Sequence, residues 1–424
     1  MFARFKQLFN PQNKDLRKRI LFTFIVLFLF KLGTTIVVPG IDKDSLGTNN
    51  LGFLELINAM GGGALEQFSI FALGVMPYIT ASIIVQLLEM DIIPYFAELS
   101  KQGGTGRAKL NQITRYLGIA LAFIQGYMYS FAFVKGGTPV EYMMFALILT
   151  AGTSLLLWLG DQITTKGIGN GISLIIMAGI IATMPNMFIQ AWDSMIILDG
   201  TVQQIVFGIV KFLLFVVMYF GIILGVVFVE TSERRIPIQY ANKSTATKVA
   251  KQNYIPFKLN SAGVIPVIFA SAIISIPGLL AGFINKDGFT LFVNKWLTMT
   301  SVTGFIIYVL CIFAFAYFYT FLQLKPKELA ENLNQNGGFI PGVRPGDETV
   351  KYISKVLKKI TTVGAFSLVI IAAIPIIFGA VSSLPSSVRV GGTSLLIVVG
   401  VALETYKQLD SELITRSHRR GRRR

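Results

Sequence analysis

The chain holds one cysteine and one histidine in 424 residues. Cys311 lies inside an apolar run, so no disulfide can close within the chain. His418 lies in a basic tail, out of reach of any membrane-depth serine. One residue of each kind excludes a site built from several His or Cys ligands, so neither metal nor cofactor is expected. The HExxH and GxxxxGK[ST] patterns are absent, which leaves no zinc-protease helix and no phosphate-binding loop. Charge is scarce at 14% of residues, and acid is scarcer than base, 22 against 38. No carboxylate stands convincingly in mid-span. An intramembrane enzyme and an ion-coupled secondary transporter are the alternatives that these absences weigh against. Apolar residues are plentiful, at 53% with a mean hydropathy of +0.64. Apolar windows near 19 residues recur along the chain, the pattern of a polytopic helical membrane protein. No cleavable leader is expected, because the first apolar run leads into Pro-Gly-Ile-Asp rather than a small-residue cleavage site.

The stretch 51–90 organises the rest. Residues 52–60 are apolar but too few to span a hydrocarbon core of ~30 Å. Gly61, Gly62 and Gly63 break the run, and an apolar stretch long enough to cross follows. A short helix, a joint and a full crossing suggest a re-entrant segment, which survives at membrane depth only against protein or in a wet cavity.

Ten crossings are read in all, at about 20–38, 68–88, 116–134, 142–159, 171–189, 204–229, 261–284, 302–324, 361–380 and 392–403. Of the 38 Lys and Arg, 31 then fall on the side of the termini and five on the other, with Lys31 and Lys211 inside crossings. The positive-inside rule places both termini in the cytoplasm. Making 52–60 a full span would turn every later basic loop outward. The two halves, 1–200 (itself read as 1–170 and 171–200) and 201–424, carry five crossings each. An odd number per half inverts the second against the first, which puts a pathway at their interface. Two long polar loops, 230–260 and 325–360, and the basic tail belong to the second half. Lys31 and Lys211 are expected to snorkel to the outer interface.

Val75 and Ile79 are four apart, as are Ile172 and Ile176, so each pair shares a helix face, and ordinary packing is a sufficient account of them. Pro77 is expected to loosen the helix between the first pair. Thr80, Gln125 and Ser271 are polar residues within crossings, free to bond a neighbouring helix or their own backbone. Asn170, between two glycines, suits a turn or the cap of crossing 5.

Six segments together resemble the SecY family. They are GGGALEQFSIFALGVMPYITASIIVQLL (61–88), TTKGIGNGISLIIMAGI (164–180), ERRIPIQYA (233–241), SAGVIPVIFAS (261–271), GGFIPGVRPGDETVKYI (337–353) and GGTSLLIVVGVALET (391–405). They run in order through nearly the whole chain. Crossing 1 departs slightly, with Lys31 where many members have Arg.

The resemblance implies an all-α membrane protein of ten helices in two inverted halves around an hourglass pore. Its waist would be ringed by Val75, Ile79, Ile172, Ile176, Ile268 and Ile397. A narrow apolar ring stays dry and blocks ions. The re-entrant segment would be a plug over 52–63, with Phe53, Leu54, Leu56, Ile57 and Met60 against the waist and Gly61, Gly62 and Gly63 as the joint. Thr80, Gln125, Ser271 and Asn170 would line a gate opening sideways to lipid. Arg234, Arg235, Lys248, Lys251, Arg344 and Lys351 would dock a motor or ribosome.

The family implies transport of preproteins across the bacterial plasma membrane, driven by the SecA ATPase or a translating ribosome. Signal sequences would be recognised, transmembrane segments released into the lipid bilayer, and the small subunits SecE and SecG would clamp the bundle. A specialised second paralogue of the family fits the same residues.

Overall fold

The structure is a computed structural model that describes residues 14–41, 55–89, 93–134, 136–196, 201–240, 253–284, 287–298, 301–382 and 386–421. Its helices are α1 (Lys14–Gly33), α2 (Glu55–Met60), α3 (Met76–Leu88), α4 (Pro94–Lys101), α5 (Gly104–Phe133), α6 (Pro139–Lys166), α7 (Gly171–Met195) and α8 (Val202–Thr231). After strands β1 (Glu233–Tyr240) and β2 (Asn253–Lys258) come α9 (Ile265–Ile284), α10 (Asp287–Trp296), α11 (Val302–Gln323) and α12 (Pro326–Gln335). Strand β3 (Gly338–Phe339), α13 (Asp347–Val381) and α14 (Ser386–Gly421) complete the chain.

Polar side chains set the helix starts. Asn170 Oδ1 accepts from the Ile172 and Ser173 amides and caps α7. Thr138 and Glu141 form a reciprocal capping box at α6, with Pro139 in the first turn where no amide is needed. Ser301 caps α11 through the Gly304 amide at 3.1 Å. Between these caps run long apolar helices. Those within Gly104–Phe133, Pro139–Lys166, Gly171–Met195, Val202–Thr231, Val302–Gln335 and Asp347–Gly379 are long and apolar enough to cross a membrane.

Crossing 2 is not one helix. Residues 61–75 coil through successive turns, with Gly62, Gly63 and Gly74 at φ +74, +82 and +55 and Phe68 at φ +45, and only 76–88 are α-helical. Hydropathy measures polarity, not hydrogen bonding, so an apolar coil buried in protein reads like a helix. Pro77 therefore loosens nothing: it occupies the first turn of α3, where its missing amide costs no bond.

The expectation of a wholly helical chain is also corrected. The polar segment 230–260 carries an antiparallel pair, β1 with β2, and β3 joins β1 on its other side in the order β2-β1-β3. Along β1, Ile236 and Ile238 are buried while Arg235, Pro237 and Gln239 face out, the period-2 alternation of a sheet with one covered face. That face packs with Phe257, Leu333, Ile340, Ile353 and Leu357 into a small core of its own, built from the hairpin, α12 and the first turns of α13.

The main core is continuous through the bundle. Its first part packs α3 on α5, α5 on α6 and α6 on α7, with α1 against α6 and α7. Its second packs α9 on α11, α11 on α13 and α13 on α14. The two meet where α9 lies against α3 and α5, and where α14 lies against α7.

Candidate pore and its closing segment

The chain enters the centre of the bundle through α2 and the turns after it. Helix α2 lies against α7 and α14. Met60, at its end, is 2% exposed. Close approach to α7 is possible because position 179 is glycine: a Cβ there would overlap the Met60 carbonyl oxygen and come within 3.0 Å of the Gly62 amide nitrogen. Gly62 needs its own glycine character for φ +74, and its surroundings are the Gly179 backbone, Thr34 and Phe30. Asn58 fixes the return turn: its Oδ1 accepts from the Glu66 amide at 3.1 Å, and its carbonyl accepts from Gly63 N at 2.9 Å.

Val75, Ile79, Ile176, Ile268 and Ile397 are all buried in the apolar cluster that also takes Met60, Ala64 and Leu65. Ile172 is half-buried and packs against it. Val75 precedes α3, and the Ile79 amide donates to its carbonyl at 3.1 Å, so the pair shares one turn as the spacing required. Of the other expected closing residues, Phe53 and Leu54 lie outside the described residues, as do the side chains of Leu56 and Ile57.

Above this segment is a cavity of about 330 Å³ whose lining includes Lys31, Asn58, Glu66, Thr183, Asn186 and Ser394. Lys31 does not simply reach outward. Its ammonium donates to the Gly62 carbonyl at 3.1 Å. Lys211 stays on the bundle's flank, its ammonium 4.6 Å from the centre of the Phe207 ring one helical turn away, a cation–π contact.

The polar residues of the α3, α5 and α9 seam bond locally. Thr80 Oγ1 donates to the Met76 carbonyl at 3.1 Å and Ser271 Oγ to the Val267 carbonyl at 2.7 Å, each within its own helix. Gln125 is half-buried on α5. Asn170 serves as the α7 cap. At the sheet end of the seam a cavity of about 640 Å³ opens between α3, α5 and α11, lined among others by Gln86, Glu89, Arg107, Asn111, Tyr319 and Lys325. Burial raises the Glu89 carboxyl above its ordinary pKa, while Lys325 and Arg107 pull it back.

The sheet end presents the basic residues. Arg234, Arg235, Arg344 and Lys351 are exposed. Arg235 is partly engaged, bonding Glu233 at 2.8 Å with its guanidinium 4.8 Å from the Tyr254 ring centre. Arg344 stands between Gly342 and Gly346, both left-handed at φ +81 and +100, and its carbonyl accepts from Thr349 Oγ1 at 2.9 Å. Lys248 and Lys251 lie outside the described residues.

A joint that sequence reading missed ties this end to the bundle. Buried Glu230 accepts from Asn260 Nδ2 at 2.6 Å, Asn260 also donates to the Gly263 carbonyl, and Lys407 Nζ donates to the Glu230 carbonyl at 2.9 Å.

The SecY family model matches residues 69–406. The protein translocase subunit SecY of Staphylococcus epidermidis is 45% identical over 430 residues, covering 99% of each chain. The chain belongs to the SecY family. The Bacillus subtilis SecY subunit is 46% identical over 417 residues, 96% of each chain. A solved structure described as that of a protein conducting channel superposes with a TM-score of 0.63 at 20% identity, covering 94% of this chain and 93% of the other, a likeness of fold. Membership in the SecY family makes this chain a multi-pass channel subunit of a protein translocase, not an enzyme, and removes the secondary-transporter alternative.

Proposed function

We propose that the chain is the central, pore-forming subunit that passes unfolded preproteins across the bacterial plasma membrane and releases apolar segments sideways into lipid. The observation that carries the reading is the burial of Met60, at the end of a short helix lying against α7 and α14, in the same apolar core that holds Val75, Ile79, Ile176, Ile268 and Ile397. In this reading those five and Ile172 form a dry waist, and the segment from 52 to 63 is the plug that fills it at rest. An apolar waist holds back ions and offers no fixed partner to a passing chain, so it accepts any sequence.

Ten crossings in two inverted halves organise the bundle, with both termini cytoplasmic. The start of α1 supports this by meeting the end of α14: Leu16, Ile168 and Leu413 pack together, and Arg19 pairs with Glu412 at 3.4 Å. The gate is the seam where α9 meets α3 and α5. Thr80, Gln125 and Ser271 line it without bonds that must break across it. The exposed Arg234, Arg344 and Lys351 dock SecA or a ribosome, signal sequences enter at the seam, and SecE and SecG brace the flanks. Reconstitution with membrane partners and motor tests this: ATP-driven preprotein import is expected, whereas solute uptake without import would overturn it.

A further inference from the structure

We propose that Lys31 latches the plug, and that this bond sets how strong a signal a preprotein must carry to open the channel. The inference rests on the plug reading above and adds a residue to it. Three neighbouring side chains at and just past the outer end of α1 wall the plug's joint. Phe30 and Thr34 flank the Gly62 position, at 3.7 and 3.6 Å from where a Cβ would stand, and Lys31 donates to its carbonyl from a charged group. The bond goes to a main-chain carbonyl, so it depends on where the backbone of the joint lies and not on which side chains the plug carries.

The helix that bears the latch packs on α6 and α7, and the residues just after it bond the segment ahead of α3, Val38 N to the Phe68 carbonyl and Ile70 N to the Ile36 carbonyl. Parting the seam by moving α9 away from α3 and α5 need not move Lys31, whereas withdrawal of the plug must break its bond. A signal that parts the seam gains nothing from the latch, so the latch acts as a threshold. Three other contacts described for the joint are of a different kind. Asn58 and Glu66 bond within the plug segment and its return turn, so they travel together. The Met60 contact is apolar and has no direction. Among these contacts the Lys31 bond is the directional link between the plug and a helix outside it.

The cavity beside the bond supplies the alternative partner. Once the joint leaves, the ammonium faces the polar wall of the cavity that α7 supplies through Thr183 and Asn186 and is rehydrated there. The latch is thus reversible: the closed state gains a bond, and the open state is not left with a buried unpaired charge. A bond from a charged group at this partly exposed position shifts the closed-to-open ratio by roughly 5- to 30-fold.

The test uses the full chain assembled with its membrane partners in planar bilayers and in import-competent vesicles. K31M keeps the stem and removes the ammonium; K31R keeps a donor; K31Q keeps polarity and serves if K31M does not assemble. Resting ion leak should rise roughly 5- to 30-fold in K31M or K31Q and stay near the parent level in K31R. Import of a preprotein with a weakened signal should rise in the same order. Deleting 55–60 separates the two readings. If deletion leaves the leak unchanged, the plug reading fails and takes the latch with it. If deletion raises the leak but K31M and K31Q do not, the plug stands and the latch is overturned. K31M added to the deletion should change nothing further; an additive effect would place the action of Lys31 elsewhere and overturn the proposal.

Discussion

Substituting Gly179 by alanine should unseat the plug without touching any residue of the waist. The new Cβ would overlap the Met60 carbonyl oxygen and crowd the Gly62 amide. Both partners are backbone, so no rotamer change relieves the contact. Two terms compete. Alanine in place of glycine within a helix is favourable by about 1 kcal/mol through propensity. Overpacking costs about 1–3 kcal/mol. The propensity gain is the same whether the plug is seated or not, so it cancels from the seated-to-unseated ratio and raises the stability of both states. The overpacking term applies only to the seated state. Helix α7 has 25 residues held by α1, α6, α8 and α14, whereas α2 has six, so α2 gives way. The seated state should lose roughly 5- to 150-fold in population for about 1–3 kcal/mol of overpacking. Single-channel recording of the assembled complex should show frequent resting openings. Gly221→Ala on α8, where a Cβ meets nothing within 4 Å, is the control and should record like the parent. A quiet Gly179→Ala channel with normal assembly would refute the packing argument.

Three further outcomes are expected. Arg344→Glu should abolish motor-driven import while leaving assembly intact, and Arg344→Lys should be partly defective because an ammonium cannot make the paired bonds of a guanidinium; normal import by Arg344→Glu would remove it from the docking surface. Asn260→Ala leaves the buried Glu230 carboxylate without its donor, at a cost of about 1–3 kcal/mol, so thermal unfolding in detergent should shift down and docking should weaken, and an unchanged melting curve would mean that water replaces the amide. Cysteines placed at Ser244 and Gly337 should label only from the cytoplasm and those at Gly137 and Ser386 only from outside, and labelling of Ser244 from outside intact cells would end the ten-crossing topology.

Much of the fold is legible in the sequence because hydropathy and caps act locally. Asn170 and Thr138 mark helix starts by their own chemistry, and the glycine triplet marks the break after α2. Other features escape for physical reasons. Residues 61–75 are apolar and buried, so their turns leave no polar trace. The alternation of β1 is written in the sequence, with Ile236 and Ile238 separated by Pro237, but it is short and sits in a chain read for long helices. The Glu230, Asn260 and Lys407 joint links positions 30 and 177 residues apart, which no local pattern announces. Lys31 is visible in the sequence as a charge inside the first apolar run. Its partner is not, because a main-chain carbonyl has no sequence signature. The glycine at 179 is likewise silent until the backbone it admits is placed beside it.

The central claim is that a polypeptide passes through the apolar waist. Photo-crosslinking groups placed one at a time at Ile79, Ile268 and Ile397, with a preprotein stalled midway through import, test it most directly. Val206, 55% exposed on the flank of α8, is the comparison position. The account predicts crosslinks to the stalled chain from all three waist positions and none from Val206. Crosslinks from Val206 alone, with the three waist positions silent, would contradict it.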